Sequence, residues 1–232
     1  YSDGLNTLRE MAEFAKEQKY DYLGICDHSK SAGYAGGLSE ERLLQQIKEI
    51  EELNFELAPF KIFKGIESDI LSDGSLDYSD EVLKLLDFVV ASVHSGLKMD
   101  EAKANQRLIK AIENPFTTIL GHPTGRLLLL REGYPIDHKK IIDACAANRV
   151  VIELNAHPWR LDIDWRWIDY AQNKGVMISI NPDAHEKSGY HDMYFGTLAA
   201  RKGGLLTRNT LNAMDLQEFK FFLQENRKNK IG

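Results

Sequence analysis

The chain has 232 residues, 43% of them hydrophobic, which suffices for one α/β domain with a full core and leaves two domains cramped. Its formal charge of −6 argues against the basic face of a free-standing nucleic-acid binder, and its two cysteines, Cys26 and Cys145, provide neither a zinc ribbon nor a disulfide framework. No apolar stretch is long enough to span a bilayer and no signal-peptide pattern is present, so the expected setting is a reducing cytoplasm.

In chain order, the segment 7–19 is a helix, with Thr7 and Glu10 in capping-box spacing and Leu8, Met11, Phe14 and Ala15 on one face. The run 22–26 is a buried strand leading to Asp27-His28, and a small-residue loop with Gly33, Gly36 and Gly37 follows. Ser39 caps a charged helix to about residue 57. Residues 60–67 form one strand ending at Glu67. An acidic loop, 72–77, lacks the further ligands of a calcium loop and is expected to be a turn. A short helix spans 79–86. The run 88–94 has no alternation, as in a strand buried on both faces, and ends at His94. A helix over 100–113 stops at Asn114-Pro115. A strand over 117–120 turns off at Gly121-His122-Pro123. Asp137 caps a helix to about 148. Strand 150–154 leads to His157, helix 164–173 ends at Lys174-Gly175, and strand 176–180 leads to Asp183-Ala184-His185. Helices near 192–202 and 216–228 finish the chain. Six strands alternating with helices predict a parallel sheet, closed or nearly so, with right-handed crossovers and helices outside.

Four histidines therefore close four separate apolar runs, with Glu67 closing a fifth. Carboxyl ends of parallel strands converge on one rim, where ligands scattered in sequence meet. One such histidine alone is usually a satisfied polar residue. His28, His94, His122 and His185 together with Glu67 and Asp183 point to two or three divalent ions, and the mixed donors suit zinc, manganese or iron better than magnesium or calcium. Such ions make water a nucleophile near neutral pH, and the matching substrate is a phosphoester. Asp27 either orients His28 or starts a turn. Arg126 is a candidate phosphate clamp, and His157 a candidate substrate contact. Lys30 and Tyr34 are within reach of a substrate or are solvated loop residues. Trp159, Trp165 and Trp167 pack a helix or stack a base. His138 and His191 carry little signal, and Cys26 is expected in the core. No nucleophile elbow, Walker loop or dinucleotide motif is present.

Cys26-Asp27-His28-Ser29, Gly65-Ile66-Glu67, Ser92-Val93-His94-Ser95-Gly96, Gly121-His122-Pro123 and Asn181-Pro182-Asp183-Ala184-His185 resemble the motifs of the PHP (polymerase and histidinol phosphatase) family. The likeness spans nearly the whole chain. It is strongest to the C-terminal PHP domain of bacterial family X DNA polymerases, through 37–43, Asp73-Gly74-Ser75-Leu76-Asp77-Tyr78 and 121–127. The resemblance implies a distorted (β/α)7 barrel over 1–232 with a trinuclear metal centre. It implies Asp3, His28 and His185 at one ion, Glu67, His94 and His122 at a second, and Glu67 with Asp183 as half of a third site. It also implies 3′–5′ exonuclease or 3′-end cleaning of DNA in repair, with DNA reached through a polymerase domain. The family's His-x-His motif would precede Tyr1. The opening Tyr1-Ser2-Asp3-Gly4 has no initiator methionine, so the expectation is a fragment lacking the first strand, with an exposed edge, weakened occupancy of the third site and reduced activity. A small-molecule phosphatase of the histidinol-phosphate type and a metal-stabilised module without turnover are the alternatives.

Overall fold

Capping chemistry sets the helix starts in the computed structural model, which describes residues 1–231. Thr7 accepts from the Glu10 amide while Glu10 reaches back to the Thr7 amide, and this reciprocal pair begins α1 (Leu8–Glu17). Ser39 caps α2 (Glu40–Glu56). The short α3 (Asp80–Leu83) follows without a side-chain cap. Asp100 and Asp137 cap α4 (Glu101–Glu113) and α5 (His138–Asn148), each accepting the amide three residues on. The chain continues through α6 (Ile168–Asn173), α7 (Met193–Lys202) and α8 (Leu216–Ile231).

All strand pairs are parallel. β1 (Tyr22–Ile25) pairs with β2 (Lys61–Lys64). The second sheet runs β3 (Glu67–Asp69), β4 (Val90–Ser92), β5 (Ile119–Leu120), β6 (Val151–Asn155) and β7 (Ile178–Asn181), in that order. The α/β class with parallel strands is as expected, but the single strand over 60–67 divides at Gly65. A Cβ there would lie 2.5 Å from the Phe88 ring and 2.7 Å from the Ile25 carbonyl. The chain therefore kinks through a position only glycine fills. It still joins the two sheets: the Gly65 amide donates to Ile25, the Glu67 amide to Asp27, and the Val90 amide to Ile66. Among the described residues β1 and β7 do not pair, so the sheet does not close on itself. The outer edge of β7 is partly covered, because the Asn212 amide bridges the Ile180 N–H and C=O in place of a strand.

Side chains alternate across the sheet, which explains both the core and the site. Ile66, Val89, Ala91, Leu120, Ile152, Leu154 and Ile178 face outward and are buried with the helices. Phe63, Val90, Ile119 and Val151 face inward at the amino ends, packed on Phe219 and Leu223 of α8. One or two pleats further on, the buried residues of the same strands turn polar: Glu67, Ser92, Glu153 and Ser179. The interior thus grades from apolar to ionisable toward the carboxyl ends.

Two stability tests follow from this packing. Gly65→Ala should cost about 1–3 kcal/mol in urea unfolding, since the backbone carbonyl of Ile25 cannot move aside as a flexible side chain would. The second concerns Lys230, whose ammonium donates to the Thr117 carbonyl. Burial pulls its pKa down to about 8 from 10.5. The unfolded chain then holds the extra proton between those values, so this lysine destabilises the fold below about pH 8 and the penalty lifts as pH rises towards 10.5. Unfolding free energies of wild type and Lys230→Met measured from pH 7 to 10.5 should shift in favour of wild type by about 3 kcal/mol; parallel curves would refute the assignment.

Candidate metal centre

The carboxyl-end loops deliver a line of imidazoles. Ring centroids are 6.2 Å apart for His185 and His28, 4.9 Å for His28 and His94, and 5.0 Å for His94 and His122. Glu67 is buried beneath them, with one oxygen 3.3 Å from His94 Nε2 and 3.1 Å from His122 Nε2, and the other 3.2 Å from His28 Nδ1. Asp3 stands on the outer side, 3.5 Å from His185 Nε2 and 3.9 Å from His28 Nε2. Two groups offer ligand atoms all within 4.8 Å of one another: Asp3, His28 and His185, and His28, Glu67 and His94. Small side-chain rotations bring such donors onto ions with bonds of about 2.0–2.2 Å. The cluster lines a cavity of about 440 Å³ that runs into the sheet interior past Glu153.

Hydrogen bonds behind the rings set which nitrogen faces the centre. His94 Nδ1 lies 2.6 Å from Asp69 Oδ1, and His185 Nδ1 lies 2.8 Å from the Asp183 carbonyl. As donors in both bonds, the Nδ1–H groups leave Nε2 free to bind an ion. Asp69 is itself held by the Ser31 hydroxyl and the Ser29-bonded amide. Electrostatics favour a cation here. Burial works against charge on His94, yet Glu67 and Asp69 outweigh it and raise its pKa to about 10. Burial likewise opposes ionisation of Glu67, but His94 and His122 hold its carboxyl well below the usual range. The buried Nδ1 of His122 makes no hydrogen bond among the described residues, and that of His28 meets the Glu67 carboxylate at 3.2 Å without hydrogen-bond geometry. Hard carboxylates, borderline imidazoles and unpaired buried nitrogens fit divalent ions of the zinc, manganese and iron kind.

Several expected residues sit elsewhere. Asp183 belongs to neither ligand group: at φ 54°, its carboxylate accepts from Asn155 Nδ2 at 3.0 Å and lies 3.5 Å from Arg160 Nε. Asp27 does not touch the His28 ring; it accepts from the amide and hydroxyl of Ser2 and from Gln46, fixing the residue before Asp3. Arg126, the expected clamp, has its guanidinium engaged by the carbonyls of Arg160 and Leu161 and by Asp164. His157 Nδ1 accepts from the Trp159 amide at 3.3 Å, and half-buried His157 caps a turn. Tyr34 is 71% exposed above the cluster, 6.1 Å from the His28 ring. Lys30 pairs with Glu40. Trp165 and Trp167 pack on the core while Trp159 is exposed, and Cys26 is exposed to the cavity rather than buried in the core. His138 stacks on Trp167 and His191 meets Phe14 edge-on.

Sequence reasoning missed Asp69, Glu153 and Arg160. Asp69 lies two residues past Glu67 on the same strand face, a signal that was available. Glu153 is a charge inside an apolar strand. Burial raises its pKa to about 7, and it accepts from the His122 amide and from Asn181.

A parallel α/β sheet that gathers imidazoles and carboxylates at its carboxyl ends defines a metal-dependent hydrolase. Residues 1–157 match the PHP domain family, and the chain belongs to that family of metal-dependent phosphoesterases. It is 45% identical over 97% of its length to the DNA polymerase/3′-5′ exonuclease PolX of Bacillus subtilis, of which it spans 40%. It is 27% identical to a probable phosphatase of Thermoanaerobacter, covering 98% of this chain and 91% of that one. The fold matches a crystal structure of histidinol phosphate phosphatase from Lactococcus lactis complexed with zinc, L-histidinol and phosphate, with TM-score 0.64, 15% identity, and coverage of 89% and 91% of the two chains.

Asp69→Asn should weaken Mn²⁺ or Zn²⁺ affinity about 10- to 100-fold in competition with a chromophoric chelator, with the circular dichroism spectrum unchanged. Wild-type affinity in that variant would mean Asp69 does not orient His94.

Proposed function

We propose that this chain, as one unit over 1–232, hydrolyses phosphoester bonds at the 3′ ends of DNA, with 3′–5′ polarity, in the setting of a repair DNA polymerase that delivers the DNA. The observation that carries this reading is the 45% identity to a polymerase/exonuclease sustained over 97% of the chain. The imidazole–carboxylate line supports it chemically. In this reading Asp3, His28 and His185 hold one divalent ion, and Glu67, His94 and His122 hold a second. Asp183 flanks the pair from the rim. Bound there, zinc, manganese or iron would supply positive charge opposite the phosphoryl oxygens and make water a stronger nucleophile. The chain's own residues do the positioning. Asp69 fixes the His94 ring, the Asp183 carbonyl fixes His185, and the cavity wall keeps Glu67 away from bulk water. His157 stays a candidate substrate contact at the mouth. A cytoplasmic setting is consistent with this role; among the described residues no helix is long and apolar enough to cross a membrane.

A second reading, a phosphatase of small phosphomonoesters, is favoured by the match to a probable phosphatase over 91% of that protein's length. The two separate in one assay: a 5′-labelled oligonucleotide and p-nitrophenyl phosphate, each with added Mn²⁺. The expected result is stepwise shortening of the oligonucleotide. Glu67→Gln should reduce it beyond the roughly 100-fold ceiling seen for residues outside the ligand set. Cleavage of the monoester alone would move the conclusion to the second reading.

A further inference from the structure

The imidazole line meets solvent unevenly. The side chains of His28 and His94 are only 11% and 8% exposed, whereas Asp3, His185 and Tyr34 are open to solution. Those three mark the side that a substrate from solution meets. The Tyr34 ring centroid stands 6.1 Å from that of His28 and 6.4 Å from that of His94, with interplanar angles of 59° and 60°. Tyr34 therefore stacks on neither imidazole, and its neighbours Gly33, Ala35 and Gly36 are too small to cover its faces.

An exposed tyrosine is ordinary by itself. The loop that carries this one is fixed, and fixed to the ligands. The Ser29 amide donates to the Glu67 carbonyl at 3.0 Å, and the Leu38 amide to the His28 carbonyl at 2.8 Å. Ala32 and Ala35 are buried, and a Cβ at Gly37 would lie 1.9 Å from the Ser29 carbonyl oxygen, so the loop is closed tightly on itself. The Ser31 hydroxyl donates to Asp69 Oδ2 at 3.0 Å, while Asp69 Oδ1 holds His94 Nδ1. One carboxylate thus sets both the imidazole and the loop above it. Lys30 brings the one charge between residues 29 and 38, and it pairs with Glu40 over the Tyr78 ring. What the loop presents beside the cluster is an aromatic face, held in place before anything binds.

We propose that the Tyr34 ring stacks on the terminal nucleobase of a DNA 3′ end whose phosphoester lies at the imidazole–carboxylate cluster, and so favours nucleotide ends over small phosphomonoesters. This rests on the DNA reading above. The organic group of a phosphoester held at the cluster extends toward solution, the side on which Tyr34 stands. In DNA that group carries a base, and every base has a π-face for an aromatic ring to meet. A monoester without a planar group gains nothing from the same ring.

The test is binding of an oligonucleotide ending in 2-aminopurine, whose fluorescence falls when the base stacks. A phosphorothioate at the last linkage slows cleavage, and Zn²⁺ is present. Wild type and Tyr34→Phe should quench the probe alike. Tyr34→Ala should lose the quench and raise Kd about five- to a hundredfold, the range of one base–aromatic stack. With the same oligonucleotide ending in an abasic residue, all three proteins should bind equally. Circular dichroism and Zn²⁺ affinity confirm that each variant is folded and loaded, and Tyr34→Leu replaces the alanine variant if that one does not fold. Equal quenching and Kd in wild type and the folded Tyr34→Ala or Tyr34→Leu variant overturn the inference. So does a loss in Tyr34→Phe as large as in Tyr34→Ala, which would assign the effect to the hydroxyl, or an equal loss on the abasic end, which would make the residue structural. Tyr34-dependent quenching without shortening of a normal oligonucleotide overturns only the DNA-cleavage reading. A wild type that neither binds the probe nor shortens DNA overturns both.

Discussion

A buried carboxylate governs this architecture. Glu67 sits under three imidazoles with little access to water, where an isolated charge would be prohibitive. Its carboxyl is nonetheless held in the ionised range by His94 and His122, so positive charge must accompany it. Protons on the rings meet that demand in the bare protein, and divalent ions meet it with stronger coordination and defined geometry. The tautomers agree with the second solution. Asp69 and the Asp183 carbonyl take the Nδ1 protons from behind and leave Nε2 facing inward. A cluster built only for structural ion pairing gains nothing from two rings oriented in this way.

The scaffold makes that arrangement possible by its pleat. Each parallel strand sends alternate residues inward, and the inward series runs from Phe63 to Glu67, from Val90 to Ser92, and from Val151 to Glu153. The apolar amino-end layer, closed by Phe219 and Leu223, supplies rigidity beneath the ionisable layer. The helices are held by the opposite faces of the same strands. Fold stability and site chemistry thus use different faces of one set of residues, and a change in register by one residue would exchange them.

Legibility in the sequence followed the range of the interaction. Apolar runs and caps are local, so Thr7, Ser39 and Asp137 marked helix starts correctly and the strand-end histidines pointed to a common rim. Where a neighbour distant in sequence decides, the sequence was mute. The strand over 60–67 divides because Phe88 occupies the space at Gly65. Arg126 looked free because Arg160, Leu161 and Asp164, which saturate it, lie more than thirty residues away. Cys26 looked like core, but among the described residues β1 has a strand neighbour on one side only, and Cys26 lines the cavity. Asp69 was legible in principle, since two positions along a strand share one face, but it lies past the residue that closes the apolar run.

The sign of the charge at the mouth bears on substrate choice. A chain of net charge −6 whose site contains Asp3, Glu67, Asp69 and Asp183 offers a phosphate little net positive charge as a bare protein, even with protons on the rings. Divalent ions reverse the potential locally, over a distance comparable to the Debye length of about 8 Å in physiological salt. That range covers the scissile group and its immediate neighbour, not a long stretch of duplex. Among the rim arginines, Arg107, Arg126 and Arg131 are turned into the protein and add little phosphate-tracking surface. Charge at such a centre would therefore reach one phosphoester rather than a strand's length, in keeping with the function proposed above. This suits a 3′ end presented by another surface as well as it suits a small monoester, and the difference between those substrates lies in what holds the remainder of the molecule.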